Sequence, residues 1–375
     1  MNIVINAFSA RLGGGQTYLI NLLKHIPDRA DLKITVLAPE GLKLPEHPCV
    51  SRYYPAWPVD NPLTRTVWEK VLLPRYLSRV GADVLFCPGG VVAGRVPKGC
   101  KVVTMFRNML PFDKRVRASM PLGLQRIRNW LLYRVMLRSM SRADLTIFIS
   151  DYARSVIEGL TKIPNPITIP HGVGEAFREV DVNVPRPQRL PAESYLLYVS
   201  RFDVYKHHYE VVSAYASLPD DYRNRFRLVL IGESNMPGGE RVHELIKARG
   251  LAEKVMILGA VPYGELPAYY HHAQLVLFAS SCENCPNILL ESLGAGRPVL
   301  SSNVMPMPEF GADAAAYFSP FDPDDIAKTM LKVLSDEDYA ARLSGKAVLQ
   351  ARKYDWARTA EATWLNIFNL VGSSR

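Results

Sequence analysis

The sequence lacks the features that would place the chain in or across a membrane. No stretch reaches the roughly 18 to 20 consecutive apolar residues that a membrane-spanning helix requires. The start, Met1 to Phe8, has no cationic segment followed by a long apolar run, so it predicts a first β-strand rather than a secretory signal. Any membrane role is then peripheral, and we expect a cytoplasmic protein.

Cysteine is scarce and scattered. Five residues, an odd number, do not suggest a disulfide framework, which fits a reducing compartment. Cys282 and Cys285 form a C-x-x-C, a pattern shared by redox pairs and by halves of zinc sites. Zinc needs two more ligands at finger-like spacing, and the nearby His271-His272 doublet does not supply them. We therefore expect no metal and no cofactor.

Acidic residues are outnumbered, and the imbalance is local. Lys and Arg total 45 against 36 Asp and Glu, a net charge of +9. Between Arg107 and Arg142, nine Lys/Arg (107, 114, 115, 117, 126, 128, 134, 138, 142) stand against one acid, Asp113, so nine minus one leaves +8 there. No recognisable nucleic-acid-binding motif accompanies this charge, so nucleic acid is not an expected partner.

The same segment has an amphipathic pattern. Arg134, Arg138 and Arg142 recur at i, i+4 and i+8, which places them on one helical face. Apolar and aromatic positions accompany them: Trp130, Leu131, Leu132, Tyr133, Val135 and Met136. This arrangement suits peripheral contact with an anionic lipid surface, and a solvated basic face on an ordinary helix is the alternative.

Apolar runs and helical segments alternate along the chain, which predicts an α/β protein of two doubly wound parallel sheets. The rhythm of the first half ends near Ile149 and restarts at Tyr195, with a proline-rich stretch between. We expect a first domain at 1–178, a linker at 179–191 and a second domain at 192–354. The last segment, 355–371, has apolar and aromatic residues at helical spacing, so it should form an amphipathic helix with a surface to cover.

Two sets of residues are suited to bind phosphate. Gly13-Gly14-Gly15 follows the first strand and opens a helix, so its amides could face an anion, or the turn is only a tight connection. The spacing is neither G-x-G-x-x-G nor a P-loop, which argues against a dehydrogenase or an ATPase. Arg201 and Lys206 follow the strand ending at Ser200, and two cations at a carboxyl edge suit a diphosphate.

The stretch from Phe278 to Val299 carries two carboxylates around a helix start. Pro286 belongs in a first helical turn, so Glu283 should precede the helix and Glu291 should lie about one and a half turns inside it. The helix should end at Gly294 or Gly296 and direct its first amides towards a ligand, those of Asn284, Cys285 and Asn287. Polyols and anions fit such a site.

These residues resemble a known family. Glu283 and Glu291, followed by Gly296-Arg297-Pro298-Val299, look like the paired-glutamate signature of retaining glycosyltransferases of family four. The resemblance covers most of the chain and is more specific in the second half, and the similar enzymes include bacterial polysaccharide and O-antigen mannosyl- and rhamnosyltransferases. It implies a GT-B fold, in which two Rossmann-like doubly wound domains face each other across a cleft. It also implies that the last helix, at 355–371, packs back on the first domain.

The resemblance also implies roles for single residues. Arg201 and Lys206 would clamp the donor diphosphate, Glu283 would hold the transferred sugar and Glu291 the ribose. The remaining contacts with the nucleotide would come from the first glycine-rich turn and from a strand end of the second domain: Gly14, Gly15, Gly232 and Glu233.

Three positions depart from the family pattern. Pro286 stands where many members have glycine, and it removes one N–H. Where many members have a histidine after the fourth or fifth strand, this chain has Arg107 and Asn108, either of which could meet the donor sugar. His171 stands where an asparagine is common at the interdomain crossing, and it is expected to be a hinge or cleft residue rather than a metal ligand.

The resemblance implies a retaining, metal-independent transfer of a hexose or deoxyhexose from a nucleotide-diphosphate sugar. The favoured donor is of the GDP-mannose or GDP-rhamnose type, with a UDP-sugar as the alternative. The expected acceptor is a glycan, in particular a lipid-linked glycan at the inner face of the cytoplasmic membrane. Two other readings remain: an epimerase that alters a nucleotide sugar, and a non-catalytic membrane-associated scaffold.

Overall fold

The computed structural model describes residues 1–11, 13–119, 123–178 and 183–372, and these form two compact units. The first unit is Met1–Gly172 together with the chain from Trp356 onward, and the second is Val173–Asp355. Residues 179–182 of the predicted linker lie outside the described residues, and 183–191 contain neither helix nor strand. The predicted boundaries at 178 and 192 therefore stay predictions.

The first unit is built on a parallel sheet. Its strands run in the order β3-β2-β1-β4-β5-β6-β7 across the described residues. β4 and β6 are buried at every position, as expected where helices cover both faces of a parallel sheet. The strands are β1 (Asn2–Asn6), β2 (Lys33–Leu37), β3 (Val50–Arg52), β4 (Val84–Cys87), β5 (Lys101–Phe106), β6 (Leu145–Phe148) and β7 (Pro166–Thr168).

Two helices of the first unit begin after polar N-cap residues. Asn61 accepts a hydrogen bond from the amide of Leu63 at 2.8 Å, and Ser150 accepts one from Ala153 at 3.1 Å. The helices are α1 (Gly14–Lys24), α2 (Pro62–Val71), α3 (Leu73–Val80), α4 (Lys114–Ser119), α5 (Leu124–Met140) and α6 (Asp151–Glu158).

The second unit is also built on a parallel sheet. Its strands follow the order β10-β9-β8-β11-β12-β13, and every described pairing is parallel. The strands are β8 (Ser194–Val199), β9 (Phe226–Ile231), β10 (Val255–Gly259), β11 (Leu275–Phe278), β12 (Val299–Ser302) and β13 (Ala316–Phe318). The predicted fold class, two doubly wound parallel-sheet domains, is confirmed.

Helices cover both faces of the second sheet. They are α7 (Glu175–Arg178), α8 (His208–Ala216), α9 (Asp220–Arg225), α10 (Pro237–Ala248), α11 (Leu266–His271), α12 (Asn287–Gly294), α13 (Met307–Gly311), α14 (Pro323–Ser335) and α15 (Glu337–Ala351). Two 3₁₀ turns, Val204–Lys206 and Tyr263–Glu265, follow β8 and β10.

The strand order fixes where each unit can bind a ligand. The order reverses between β1 and β4 in the first sheet and between β8 and β11 in the second. Open α/β sheets bind ligands outside the carboxyl ends of the strands at such a switch point. The loops after β1, β4, β8 and β11 are therefore the places to examine.

The last helix, α16 (Trp356–Gly372), packs in the first unit against α1. Trp364 is fully buried, and its indole N–H donates to the carbonyl of Leu22 at 3.1 Å. The Tyr18 hydroxyl lies 3.3 Å from that of Thr363. Among the described residues, no helix has both the length and the hydropathy to cross a membrane.

Two details of the predicted basic face need correction. Helix α5 ends at Met140 and Ser141 caps it, so Arg142 lies beyond the helix and does not continue the face of Arg134 and Arg138. Met136 is buried in the unit, because it points towards the core side of α5. The exposed apolar residues of α5 are Leu124, Ile127, Trp130, Leu131 and Val135.

The packing of α16 predicts a large cost for truncating its buried tryptophan. We expect Trp364→Ala to lower the free energy of unfolding by about 3–5 kcal/mol, since it leaves a cavity and the Leu22 carbonyl without its donor. Leu365→Ala is the control, because Leu365 is 55% exposed and should change stability by less than about 0.5 kcal/mol. Equal denaturation midpoints for the two variants would show that α16 does not support the first unit.

Candidate functional site

A buried ion pair bridges the switch point of the second sheet. Lys206 closes the 3₁₀ turn after β8, and Glu283 lies in the loop after β11. Their side chains are only 10% and 17% exposed, and the ammonium donates to Oε1 of Glu283. Because both charged groups are poorly hydrated, each offsets the desolvation of the other, and removing one partner leaves a buried, uncompensated charge. The two predicted residues are therefore in direct contact.

Hydrogen bonds fix the two loops that carry this pair. The Tyr198 hydroxyl donates to the carbonyl of Lys206 at 2.5 Å, and the amide of Ser281 donates to the carbonyl of Tyr205 at 2.9 Å. Nε2 of His207 lies 2.8 Å from the hydroxyl of Ser281. The ammonium of Lys206 also lies 5.4 Å from the centre of the Phe278 ring. The ion pair is thus held before any ligand arrives.

Arg201 and Glu233 form a second, exposed pair at the same edge. Nε of Arg201 lies 3.5 Å from Oε2 of Glu233, and the side chains are 57% and 55% exposed. Such a pair is worth little, so both groups remain available to a ligand. The absence of a side chain at Gly232 lets the loop after β9 pass close to the end of β8. Its φ is +147°, and a Cβ there would lie 1.9 Å from the carbonyl oxygen of Ser200.

Glu291 is buried inside α12 and accepts a hydrogen bond from a tyrosine of another loop. Its Oε1 accepts a hydrogen bond from the Tyr263 hydroxyl at 2.9 Å. Burial raises the pKa of Glu291 to about 7, and the bond from Tyr263 offsets only part of that rise. The carboxyl is therefore close to half-ionised near neutral pH, which suits a group that accepts hydroxyl donors when it is charged.

Tyr263 was not among the predicted site residues. It lies in the 3₁₀ turn after β10, and its ring, half exposed, contacts Phe177 at a centroid distance of 5.2 Å. The available signal was its position: it follows a strand that ends at Gly259, at the carboxyl edge of the sheet. A single tyrosine in a loop carries no pattern, so the contact with Glu291 became visible only in three dimensions.

The start of α12 differs from the prediction in two ways. Pro286 is the N-cap residue and not a residue of the first turn, because the helix begins at Asn287. The amide of Asn287 is not directed at a ligand, since it donates to the carbonyl of Cys285 at 3.0 Å. Asn284 is buried and Cys285 half-buried, and both remain next to Glu283 in the chain. The helix ends at Gly294, as predicted.

In the first unit, the glycine-rich turn contacts Arg107. Helix α1 begins at Gly14, and a Cβ on Gly15 would lie 3.3 Å from Nη1 of Arg107, tighter than an ordinary contact. The guanidinium lies 5.9 Å from the centre of the Tyr18 ring. The turn after β1 and the end of β5 therefore meet at the carboxyl edge of this sheet, with a cation beside the glycines.

The two other predicted contacts of the first unit have structural surroundings. The Asn108 side chain accepts a hydrogen bond from the amide of Leu110 at 3.2 Å, which fixes a local turn. His171 is 2% exposed and packs between the rings of Tyr18 and Trp356, at centroid distances of 5.5 and 5.3 Å. His171 thus lies in the core of the first unit, and its role as a hinge or cleft residue stays a prediction.

The thiols and acids do not assemble into a metal centre in the described part of the chain. No group of three His, Cys, Asp or Glu side chains is placed to hold an ion there. Neither Cys282 nor Cys285 is part of a disulfide. Independence from metals remains a prediction about the reaction.

Two family models match the chain, and together they span most of it. "Glycosyltransferase Family 4" matches residues 12–177, and "Glycosyl transferases group 1" matches residues 184–349. The first match covers the glycine-rich turn and Arg107. The second covers both glutamates and both cations of the switch point.

Relatives and solved structures agree with these matches. The chain is 29% identical to the serotype-specific mannosyltransferase WbdA of Escherichia coli, over 73% of this chain and 34% of that protein. It is 27% identical to the O-antigen chain mannosyltransferase B of the same species, over 62% of each. The chain thus spans about a third of the length of WbdA.

A sucrose-phosphate synthase from Thermosynechococcus elongatus has the same fold, with a TM-score of 0.77 at 18% identity over all of both chains. This likeness agrees with the GT-B class that the two doubly wound sheets indicate. With both halves matched by family models, the chain belongs to glycosyltransferase family four.

Proposed function

We propose that this protein is a retaining glycosyltransferase that moves a hexose or deoxyhexose from a nucleotide-diphosphate sugar to a hydroxyl of a glycan. One observation carries the proposal: two cations and two carboxylates lie on the segments that follow β8 and β11, the two strands of the switch point. Arg201 and Lys206 supply the charge that a diphosphate needs, while Glu283 and Glu291 supply acceptors for hydroxyl groups.

Lys206 is suited to fix the position of the transferred sugar relative to the diphosphate. An ammonium has three donors, so it can keep its bond to Glu283 and still donate to a phosphate oxygen. Glu283 retains a second oxygen that can accept from hydroxyls of the transferred sugar. Arg201 adds a planar fork to the diphosphate from the exposed side. The ion pair then positions the anomeric carbon against its leaving group.

The transfer itself needs no protein nucleophile. The bond between the anomeric carbon and the diphosphate oxygen breaks, and the acceptor oxygen forms its bond on the same face. The acceptor proton passes to the departing diphosphate oxygen, whose growing charge Arg201 and Lys206 stabilise. Because two fixed cations already carry this charge, we propose that the reaction proceeds without a metal ion.

Glu291 is proposed to accept hydrogen bonds from the ribose hydroxyls. In this role it must be ionised, because a protonated carboxyl offers fewer acceptor sites. Tyr263 occupies one oxygen of the carboxylate in the ligand-free protein, and the other is left for the ribose. Gly232, Glu233, Asn284 and Cys285 are proposed to complete the nucleotide contacts.

The acceptor side is assigned to the first unit. We propose that Gly14 and Gly15 meet phosphate oxygens and that Arg107 meets the donor sugar. The names of the relatives, both mannosyltransferases, favour a mannose-type donor. We propose GDP as its nucleotide, with UDP as the alternative. The name of the second adds the O-antigen, so the proposed product belongs to cell-surface polysaccharide synthesis. The proposed acceptor is lipid-linked, at the cytoplasmic face of the membrane.

The first prediction concerns the nucleotide. Among GDP, UDP, dTDP and ADP, one should raise the thermal midpoint of the protein selectively, because a ligand of the folded state stabilises it. Arg201→Ala should weaken its binding by about tenfold or more, the loss expected for a charge-assisted hydrogen bond. Arg249→Ala removes an exposed arginine of the same unit and should change nothing.

Other outcomes separate the competing functions. If none of the four nucleotides raised the thermal midpoint, the result would favour a non-catalytic scaffold. Conversion of a nucleotide sugar to its epimer, with no acceptor added, would favour the epimerase.

The second prediction follows from the raised pKa of Glu291. The folded protein holds a proton on this group up to about pH 7, whereas the unfolded chain loses it near 4.5. The folded state therefore binds more protons between these values, and stability falls as pH rises through them. The resulting loss in the free energy of unfolding is complete above pH 7 and amounts to at most about 3 kcal/mol.

Glu291→Gln should thus stabilise the ligand-free protein more at about pH 8 than at about pH 5, and it should weaken nucleotide binding at both. Glu244→Gln, on the exposed side of α10, serves as the control. Denaturation curves at the two pH values give the stabilities, and calorimetry gives the affinities. A uniform stability change at both pH values would contradict the buried, titrating carboxyl.

The third prediction concerns the membrane side. Reversing Arg134, Arg138 and Arg142 to glutamate should abolish binding to anionic vesicles and reduce activity on a lipid-linked acceptor, because the repelled surface no longer reaches the bilayer. Lys43, Lys98 and Lys162, exposed in the same unit, give a control of equal charge change. Unchanged vesicle binding and activity in the arginine variant would exclude this contact.

A further inference from the structure

A basic cavity lies between α4 and α5 of the first unit, and its lining includes none of the four residues of the switch-point site. Its volume is about 520 Å³. The lining residues are Lys114, Arg117, Ala118, Arg126, Asn129 and Trp130. Three of the six are cations and none is an acid, so the cavity concentrates positive charge.

This charge is not neutralised within the described residues. Lys114, Arg117 and Arg126 take part in none of the ion pairs that those residues form. The nearest acid along the chain, Asp113, accepts a hydrogen bond from the amide of Val116 at 2.9 Å and so serves the start of α4. Cations gathered around one cavity repel each other, and an anion placed among them relieves that repulsion.

The donors around the cavity match a phosphate group. Arg117 and Arg126 can each present two parallel N–H groups to phosphate oxygens, and Lys114 adds a point charge. Asn129 and Trp130 add neutral donors, the side-chain amide and the indole N–H. The Arg117 guanidinium lies 5.4 Å from the centre of the Tyr133 ring, which restricts where it can point. The cavity has room for a phosphodiester together with its nearest substituents.

The surface beside the cavity indicates where such a phosphate comes from. Leu124, Ile127 and Leu131 recur at i, i+3 and i+7 along α5 and are 86%, 57% and 50% exposed. Trp130, 54% exposed, lies between this stripe and the cavity, with the guanidinium of Arg134 5.6 Å from its ring centre. Apolar side chains next to an amphipathic ring and cations are the pattern of a helix at a bilayer surface.

We propose that the cavity binds the phosphate group of an anionic membrane lipid, while the exposed stripe of α5 enters the boundary of the acyl chains. The site rests on the membrane contact proposed above and gives it a specific headgroup pocket. Arg134 and Arg138 supply attraction to any negative surface, whereas Lys114, Arg117 and Arg126 recognise phosphate. The pocket thereby fixes the orientation of the first unit on the bilayer.

The test separates phosphate recognition from general charge attraction. Full-length protein is mixed with vesicles of phosphatidylcholine that contain either phosphatidylglycerol or a fatty acid, matched in surface potential, and binding is measured by flotation. The wild-type protein should bind the phosphatidylglycerol vesicles at least about tenfold more tightly, since its arginines are bidentate to phosphate oxygens. Lys114→Gln, Arg117→Gln and Arg126→Gln together should abolish this preference.

The control variant carries Lys43→Gln, Lys98→Gln and Lys162→Gln, with the same loss of three charges from exposed positions of the first unit. It should retain the preference. Equal binding of wild-type protein to both vesicle types, or a preference that survives in the triple cavity variant, would overturn the proposal. Binding that appears only when polyprenyl phosphate is added to neutral vesicles would also overturn it and would assign the cavity to the acceptor instead.

Two further readouts keep this test independent of the proposed reaction. The nucleotide-induced thermal shift reports the second unit and should be the same in wild type and in both triple variants. Its loss in the cavity variant would indicate misfolding, in which case Trp130→Phe, which removes only the indole N–H and some ring area, replaces it and should lower the preference for phosphate. Absence of any nucleotide shift in wild type would refute the proposed function and leave the vesicle result standing.

Discussion

The contact between Lys206 and Glu283 is the constraint around which the second unit is arranged. Both groups are largely withdrawn from water, so each one requires the other to offset its desolvation. That requirement fixes the loop after β8 against the loop after β11, and the hydrogen bonds of Tyr198 and Ser281 reinforce the same arrangement. The strand order brings these two loops together, because β8 and β11 are neighbours on either side of the reversal.

The sequence predicted those parts of the fold that depend on local pattern. The alternation of apolar and helical segments predicted two parallel-sheet units, and α12 ends at Gly294, one of its two predicted ends. Short edge strands such as β3 and β7 cannot be predicted in this way, because three residues without a buried position carry no periodicity. The exposed face of α5 was misjudged for a related reason: the pattern shows which residues share a face but not which side of the helix the core occupies.

The site could be predicted as a set of residues and not as a set of contacts. Arg201, Lys206, Glu283 and Glu291 were recognisable from their positions after strands and at a helix start. What the sequence could not supply is the pairing: Lys206 contacts Glu283, while Arg201 contacts Glu233. Nor could it supply the environment of Glu291, whose raised pKa results from burial by side chains distant in the chain. Proximity across loops and desolvation are properties of the folded chain alone.

The path of the chain has a consequence for how the protein is made. The first unit includes α16, which is synthesised after the whole of the second unit. Until those residues emerge, α1 has no partner for the Leu22 carbonyl, and the apolar side chains that Trp364 covers remain in water. The second unit, contiguous from Val173 to Asp355, can complete its core first, although domains ordinarily fold in the order of their synthesis. A chain that lacks α16 would therefore expose apolar surface on the first unit, which makes that unit the natural target of chaperones and proteases.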